Sequence, residues 1–309
     1  MAAEKTEKNA GKQVEEKKPA KPQDAKKEGG GKNQESKKRV GELIGIVSGK
    51  GGVGKTTVAI NLAASLAHDF HKKTVVIDCN IGTSHLGVAL GMHYLPATLN
   101  DVLRGKAPLT EALYKHGPSG MMVLPASMKA TNIQAVDVSQ IKKIAGKLAL
   151  SHDYVILDAG PGLGREAYAT LFAAEKLVYV TIPTMPSVID IVRYRQALAG
   201  EDKVHLGIVL NMFDGSPHQM TVDEIEKLTQ LKVIAKVPTD IEVPKSLAAE
   251  VPIVISKPKS PAAIELVKLA AKVCGEYDET PRKLKFHEKL LAGLKDADER
   301  FDELLGFDR

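Results

Sequence analysis

From residue 43 onward the chain repeats one cadence: a short unbroken apolar run, a polar turn, then apolar residues at helical spacing. The runs fall at 43–48, 74–78, 154–158, 177–182, 206–210, 233–235 and 253–255, and most are rich in Val and Ile. β-Branched side chains pack well on a pleated surface, so runs of this length read as strands. Between most of them lie helical segments, at 56–67, 140–150, 188–198, 222–228 and 261–274. A strand that is apolar throughout, rather than at alternate positions, is covered on both faces. The expected fold is therefore α/β, a doubly wound and mostly parallel sheet with helices on both faces, forming one domain over residues 40–277.

Two segments lie outside this cadence. Residues 1–39 are Lys/Glu-rich, with one valine and no aromatic residue. Such a composition cannot bury enough apolar surface to offset its ordering entropy, so a disordered tail is expected. It is either a solubilising arm or a polybasic arm for anionic lipid or nucleic acid. Residues 278–309 carry Phe286, Leu290, Leu294, Ala297, Phe301, Leu304 and Leu305 at spacings of four and three, which predicts an amphipathic helix. Its charge is split: residues 282–295 hold five basic and one acidic residue, and residues 296–309 two basic and six acidic.

The net charge of the 309 residues, +5, resides in the first tail, which has 12 Lys/Arg against 7 Asp/Glu. The remaining residues balance, 31 against 31. A globally basic nucleic-acid surface is disfavoured by that balance. Cys79 and Cys274 form no CxxC pair and no disulfide framework, which suits a reducing compartment. No signal-peptide pattern and no apolar stretch of membrane-spanning length occurs. The expected location is cytoplasmic, with peripheral attachment at the inner face of the cell membrane left open.

The strongest chemical signal lies between the first run and the first helix, where Gly49-x4-Gly54-Lys55-Thr56 matches the P-loop pattern. Its glycines let backbone N–H groups converge on phosphate oxygens, and the helix N-terminus adds a fixed positive potential. Lys55 is placed to reach the β- and γ-phosphates of a nucleotide, and the Thr56 hydroxyl to ligate Mg²⁺. Asp158 ends a buried run, where a carboxylate can hold Mg²⁺ through its water shell.

With Lys50 included, the loop reads Lys-Gly-Gly-Val-Gly-Lys-Thr-Thr and resembles the deviant Walker A sequence of the MinD/ParA family of dimerising ATPases. The segment 75–82 (Val-Val-Ile-Asp-Cys-Asn-Ile-Gly) is similar to that family's first switch, and 158–166 (Asp-Ala-Gly-Pro-Gly-Leu-Gly-Arg-Glu) to the second switch of archaeal MinD-like members. Residues 96–105, 237–243, 252–255 and 260–263 follow the same family, so the resemblance spans roughly 42–275. It implies a P-loop NTPase fold binding ATP and Mg²⁺, the latter at Thr56 and Asp158. Nucleotide would be held by Gly49, Lys50, Gly51, Gly52, Val53, Gly54, Lys55, Thr56 and Thr57. Gly162 would offer its N–H to the γ-phosphate, Asn211 would read adenine unless it merely forms a turn, and Pro238 would lie nearby. The catalytic set would be Lys50, Lys55, Asp78 and Asn80. Lys50 would act in trans, across a homodimer that forms on ATP binding.

Two departures from the family fall around the γ-phosphate. The first switch has Asn80 where the family carries a second Asp, and an amide cannot take a proton. In the second, Gly160-Pro161-Gly162 stands in place of Pro-Ala-Gly. Slow hydrolysis is the expected consequence. The resemblance thus implies an ATP-dependent switch that positions or recruits an unidentified protein partner, with the last helix meeting an anionic membrane or a protein surface. A DNA-partitioning ATPase is a rival, with Lys142, Lys143, Lys147, Arg193 and Arg195 as candidate contacts, though nucleic acid is less favoured. A catalytically silent ATP-bound scaffold and an archaellum or flagellum placement regulator are the others.

Overall fold

The structure is a computed structural model that describes residues 40–129 and 137–277. The Lys-rich tail at 1–39 and the amphipathic helix expected at 278–309 lie outside the described residues. In chain order the elements begin with β1 (Glu42–Val47), α1 (Lys55–His68), β2 (Thr74–Asp78) and α2 (Leu99–Leu103). A short hairpin, β3 (Tyr114–Lys115) and β4 (Met122–Leu124), precedes α3 (Ile141–Ala149), β5 (Tyr154–Asp158) and α4 (Arg165–Ala173). Then follow β6 (Lys176–Thr181), α5 (Met185–Ala197), β7 (Val204–Asn211), α6 (Val222–Thr229) and β8 (Val233–Val237). Three helices close the domain: α7 (Glu242–Ala248), α8 (Ile253–Ser256) and α9 (Pro261–Val273).

The eight strands form one sheet in the order β3-β4-β2-β5-β1-β6-β7-β8. Every neighbouring pair is parallel except β3 with β4. The strands serve two cores because successive side chains leave opposite faces. Leu43, Val75, Val155, Leu177 and Ile208 point to a core closed by α3, α4, α5 and α6. Ile44, Val76, Ile156, Val178 and Val209 point to the other, closed by α1, α8 and α9. The doubly wound sheet read from the sequence is present.

One expected strand is absent. Residues 253–255 form the single turn of α8 instead of a strand, with Ile253 and Val254 buried beside α1. A three-residue apolar run carries no period of its own. Here the Val254 N–H donates to Asn61 Oδ1 of α1 at 3.1 Å, a bond that replaces a sheet ladder. Hairpin β3–β4 and helices α2, α4 and α7 add to the elements read from the pattern. Among the described residues no helix is long and apolar enough to cross a membrane.

The topology brings the carboxyl ends of β1, β2 and β5 to one rim. Asp78 and Asp158 are register partners at the ends of β2 and β5, and Asp158 also pairs with Ile46 of β1. Beyond β1, the ends of β7 and β8 complete the same rim. Open α/β sheets bind ligands at that edge, where the strand order reverses.

Candidate nucleotide site

The turn from β1 into α1 is built to leave N–H groups open. Gly52 and Gly54 have φ of 80° and 89°, the left-handed region that glycine adopts without a Cβ penalty. Gly54 N-caps α1 with no side-chain cap, and no acidic residue occupies the first turn. The unsatisfied N–H groups and the positive end of the helix therefore face the site, a ready seat for anionic oxygen. A Cβ at Gly54 would stand 2.1 Å from Asn211 Nδ2, so the close approach of β7 also requires glycine there.

Asp158 organises the floor. Its Oδ1 takes the Lys55 ammonium at 2.6 Å, and its Oδ2 accepts from the Thr56 hydroxyl at 2.7 Å. Both Lys55 and Asp158 are buried. Removing either partner would leave an uncompensated buried charge, which costs several kcal/mol, about 3–5. The Thr56 hydroxyl and Asp158 carboxylate form an oxygen-donor pair of the type that hard Mg²⁺ prefers, with phosphate and water completing its shell. Among the described residues no group of three or more His, Cys, Asp or Glu could hold a metal alone.

Asp78 is fully buried beside that floor. Burial, and then the charge of Asp158, push its carboxyl up to about 7, against the pull of the Ser84 hydroxyl, the Asn80 N–H and Lys55. Ser84 Oγ donates to Asp78 Oδ2 at 2.6 Å, and the Asn80 N–H to Oδ1 at 3.0 Å. The Asn80 amide turns back on its own loop, donating to the Thr83 carbonyl at 2.5 Å and accepting from the Thr83 hydroxyl at 3.0 Å. Cys79 between them is buried, and burial pushes its thiol up, so it packs as a small hydrophobe.

Gly162, with φ of 66°, donates its N–H to the Ser48 carbonyl at 3.2 Å. The Tyr194 hydroxyl of α5 lies within bonding reach of two carbonyls, Ser48 at 3.1 Å and Gly162. A hydroxyl has one proton, so Tyr194 donates to one of them at a time. The loop after β5 is thereby tied to the P-loop by a residue that the sequence pattern did not single out.

On the opposite side Asn211 Nδ2 donates to the Val53 carbonyl at 2.8 Å, binding the end of β7 to the P-loop. A cavity of about 820 Å³ opens here, within the range of small-molecule sites. Lys50, Gly51, Gly52, Gly54, Lys55, Thr56, Thr57, Asn80, Asn211 and Pro238 line it, with Met212, Ile241 and Pro244 as an apolar wall. Val53 is buried beneath the loop and Lys50 is exposed at the rim. Gly49 lies under Asp190 of α5, whose Cβ a side chain at 49 would meet at 2.0 Å. Asp240, also on the cavity, accepts from the N–H groups of Glu242 and Ala262 at 2.9 and 3.1 Å, fixing the wall to α9. The sequence pattern did not single out this residue, because the short helix α7 that follows it was not read from the pattern.

The basic residues considered for nucleic acid do not form one free stripe. Arg195 Nη1 is bonded to the Thr229 carbonyl at the end of α6, and Arg193 pairs with Asp190. Lys142, Lys143 and Lys147 are exposed on α3.

A sequence model named ParA, described as NUBPL iron-transfer P-loop NTPase, matches residues 39–274. An uncharacterised ATP-binding protein of Methanocaldococcus jannaschii is 35% identical over 257 residues, covering 81% of this chain and 96% of its own length. The septum site-determining protein MinD of Thermotoga maritima is 34% identical over 209 residues, covering 64% and 76% of the two chains. The solved structure of MinD from Pyrococcus horikoshii, complexed with Mg-ADP, superposes with a TM-score of 0.72 at 28% identity, over 75% of this chain and 95% of that one.

Proposed function

The chain belongs to the ParA/MinD family of P-loop NTPases, and from that premise we propose that it is an ATP-binding switch that dimerises and thereby positions or recruits a partner. The observation that carries the reading is the junction of an uncapped helix N-terminus with the Lys55–Asp158–Thr56 triad, beside a cavity of nucleotide size.

The residues divide the work. The N–H groups of residues 51–56 would cradle the phosphates, and the Lys55 ammonium would leave Asp158 for the β- and γ-oxygens. Mg²⁺, held by Thr56 with Asp158 assisting, would neutralise the same oxygens. The Gly162 N–H would exchange Ser48 for the γ-phosphate, and Asn211 would keep its oxygen toward the base while its Nδ2 holds Val53. Lys50, at the rim, would reach the nucleotide of a second copy. Hydrolysis would be slow, because Asn80 is spent on Thr83 and cannot take a proton from water.

Titration with fluorescent ADP and ATP analogues tests the site. The full chain should bind both with Mg²⁺ present, and Lys55→Ala should weaken binding roughly tenfold or more by removing the charge-assisted contacts. Equal binding by Lys55→Ala would place the nucleotide elsewhere.

A further inference from the structure

Two loops meet on one side chain that the proposed chemistry does not use. Glu166 stands in the first turn of α4, half-buried. Its carboxylate lies against the loop that follows β2 and carries Asn80, where burial raises its pKa and the N–H dipoles of Gly82 and Ile81 pull it back. Two glycines make room for it. A Cβ at Gly82 would stand 3.2 Å from Glu166 Oε1, and one at Gly160 would stand 3.1 Å from both the Cβ and Oε2 of Glu166. Gly160 is one of the departures from the family pattern, and a side chain there would crowd the carboxylate.

The geometry is that of a clip. A carboxylate set against two successive N–H groups attracts both peptide units, and more strongly than a neutral acceptor would. The other end of the clip is tied as well, since Gly162, four residues before Glu166, is bonded to Ser48 and Tyr194. Moving the Gly162 N–H toward a phosphate requires the 160–164 loop to turn. Glu166 begins the helix that this loop leads into.

We propose that Glu166 couples the two loops, so that displacement of 160–164 at the phosphate end of the site is transmitted to the turn at 80–84. Glu166 is a positioning residue that touches no nucleotide. The coupling rests on reading the site as one for a nucleoside triphosphate, whereas the clip itself does not.

Hydrogen exchange on the full chain separates the two. Without nucleotide, the peptide over 79–85 should exchange roughly tenfold faster in Glu166→Ala, and faster, though by less, in Glu166→Gln, which keeps the shape and loses the charge. The peptide over α9 should be unchanged in both, showing that the fold is intact. With Mg²⁺ and a non-hydrolysable ATP analogue, wild type should respond at both 79–85 and 158–166. The variants should keep the second response and lose at least half of the first. Equal nucleotide-free exchange in wild type and both variants overturns the clip, whatever binds. A full response at 79–85 in both variants overturns the coupling. If wild type binds no analogue, the site reading and the coupling fall together, and the nucleotide-free comparison still decides the clip.

Discussion

At the scale of single residues, the site divides into groups whose roles are local and groups whose roles depend on the fold. The P-loop was legible because each of its demands is local: glycine where φ is positive, lysine and threonine where the helix starts. Tyr194 and Glu166 were not legible, since what they do depends on which distant backbone each meets. Asn80 lies between these cases. The sequence showed that the residue cannot act as a base, and the structure adds that its Nδ2 donates to Thr83, which a carboxylate cannot do. In Asn80→Asp the new carboxylate would be repelled by the Thr83 carbonyl and turn toward the site. Steady-state phosphate release should then rise by about a hundredfold, the low end of the usual range for a positioned base. An unchanged rate would show that Asn80 does not limit turnover.

Among the elements, the long buried strands and helices were readable because their runs exceed the length at which strand and helix patterns blur. The three-residue runs at 233–235 and 253–255 did not: the first extends β8 beside β7, whereas at the second the helical turn won because Asn61 offered an acceptor and α1 a surface. Hairpin β3–β4 is too short to leave a pattern, and its turn is held by other means. His116 is buried there, its Nδ1 2.7 Å from Ser119 Oγ and its N–H bonded to the Met121 carbonyl. Burial holds the imidazole below its ordinary value of 6.5. As pH falls through 6.5 the unfolded chain takes up a proton that the folded chain refuses, so stability drops until the folded value is passed. Compared with His116→Gln, the wild type should lose stability between pH 7 and 5, by at most about 1.4 kcal/mol per pH unit. Urea midpoints at the two pH values measure it. A parallel shift of both proteins would mean that His116 does not titrate on unfolding.

For the whole molecule, the charge arithmetic assigns distinct duties to different parts. Residues 40–281 balance 24 basic against 24 acidic residues, so their net charge provides no overall attraction to lipid or nucleic acid. In the proposed function the described domain supplies the nucleotide-dependent step. On the proposed reading, Lys50, exposed at the rim of the cavity whose other lysine, Lys55, is buried against Asp158, is the residue that reaches a second copy. The direct measurement is the mass of the full chain in solution with Mg-ADP and with Mg²⁺ plus a non-hydrolysable ATP analogue. A 33.2 kDa monomer with ADP that doubles its mass with the analogue, and fails to do so as Lys50→Ala while still binding it, is the predicted result. A chain that binds the analogue and stays monomeric at every concentration would contradict the account.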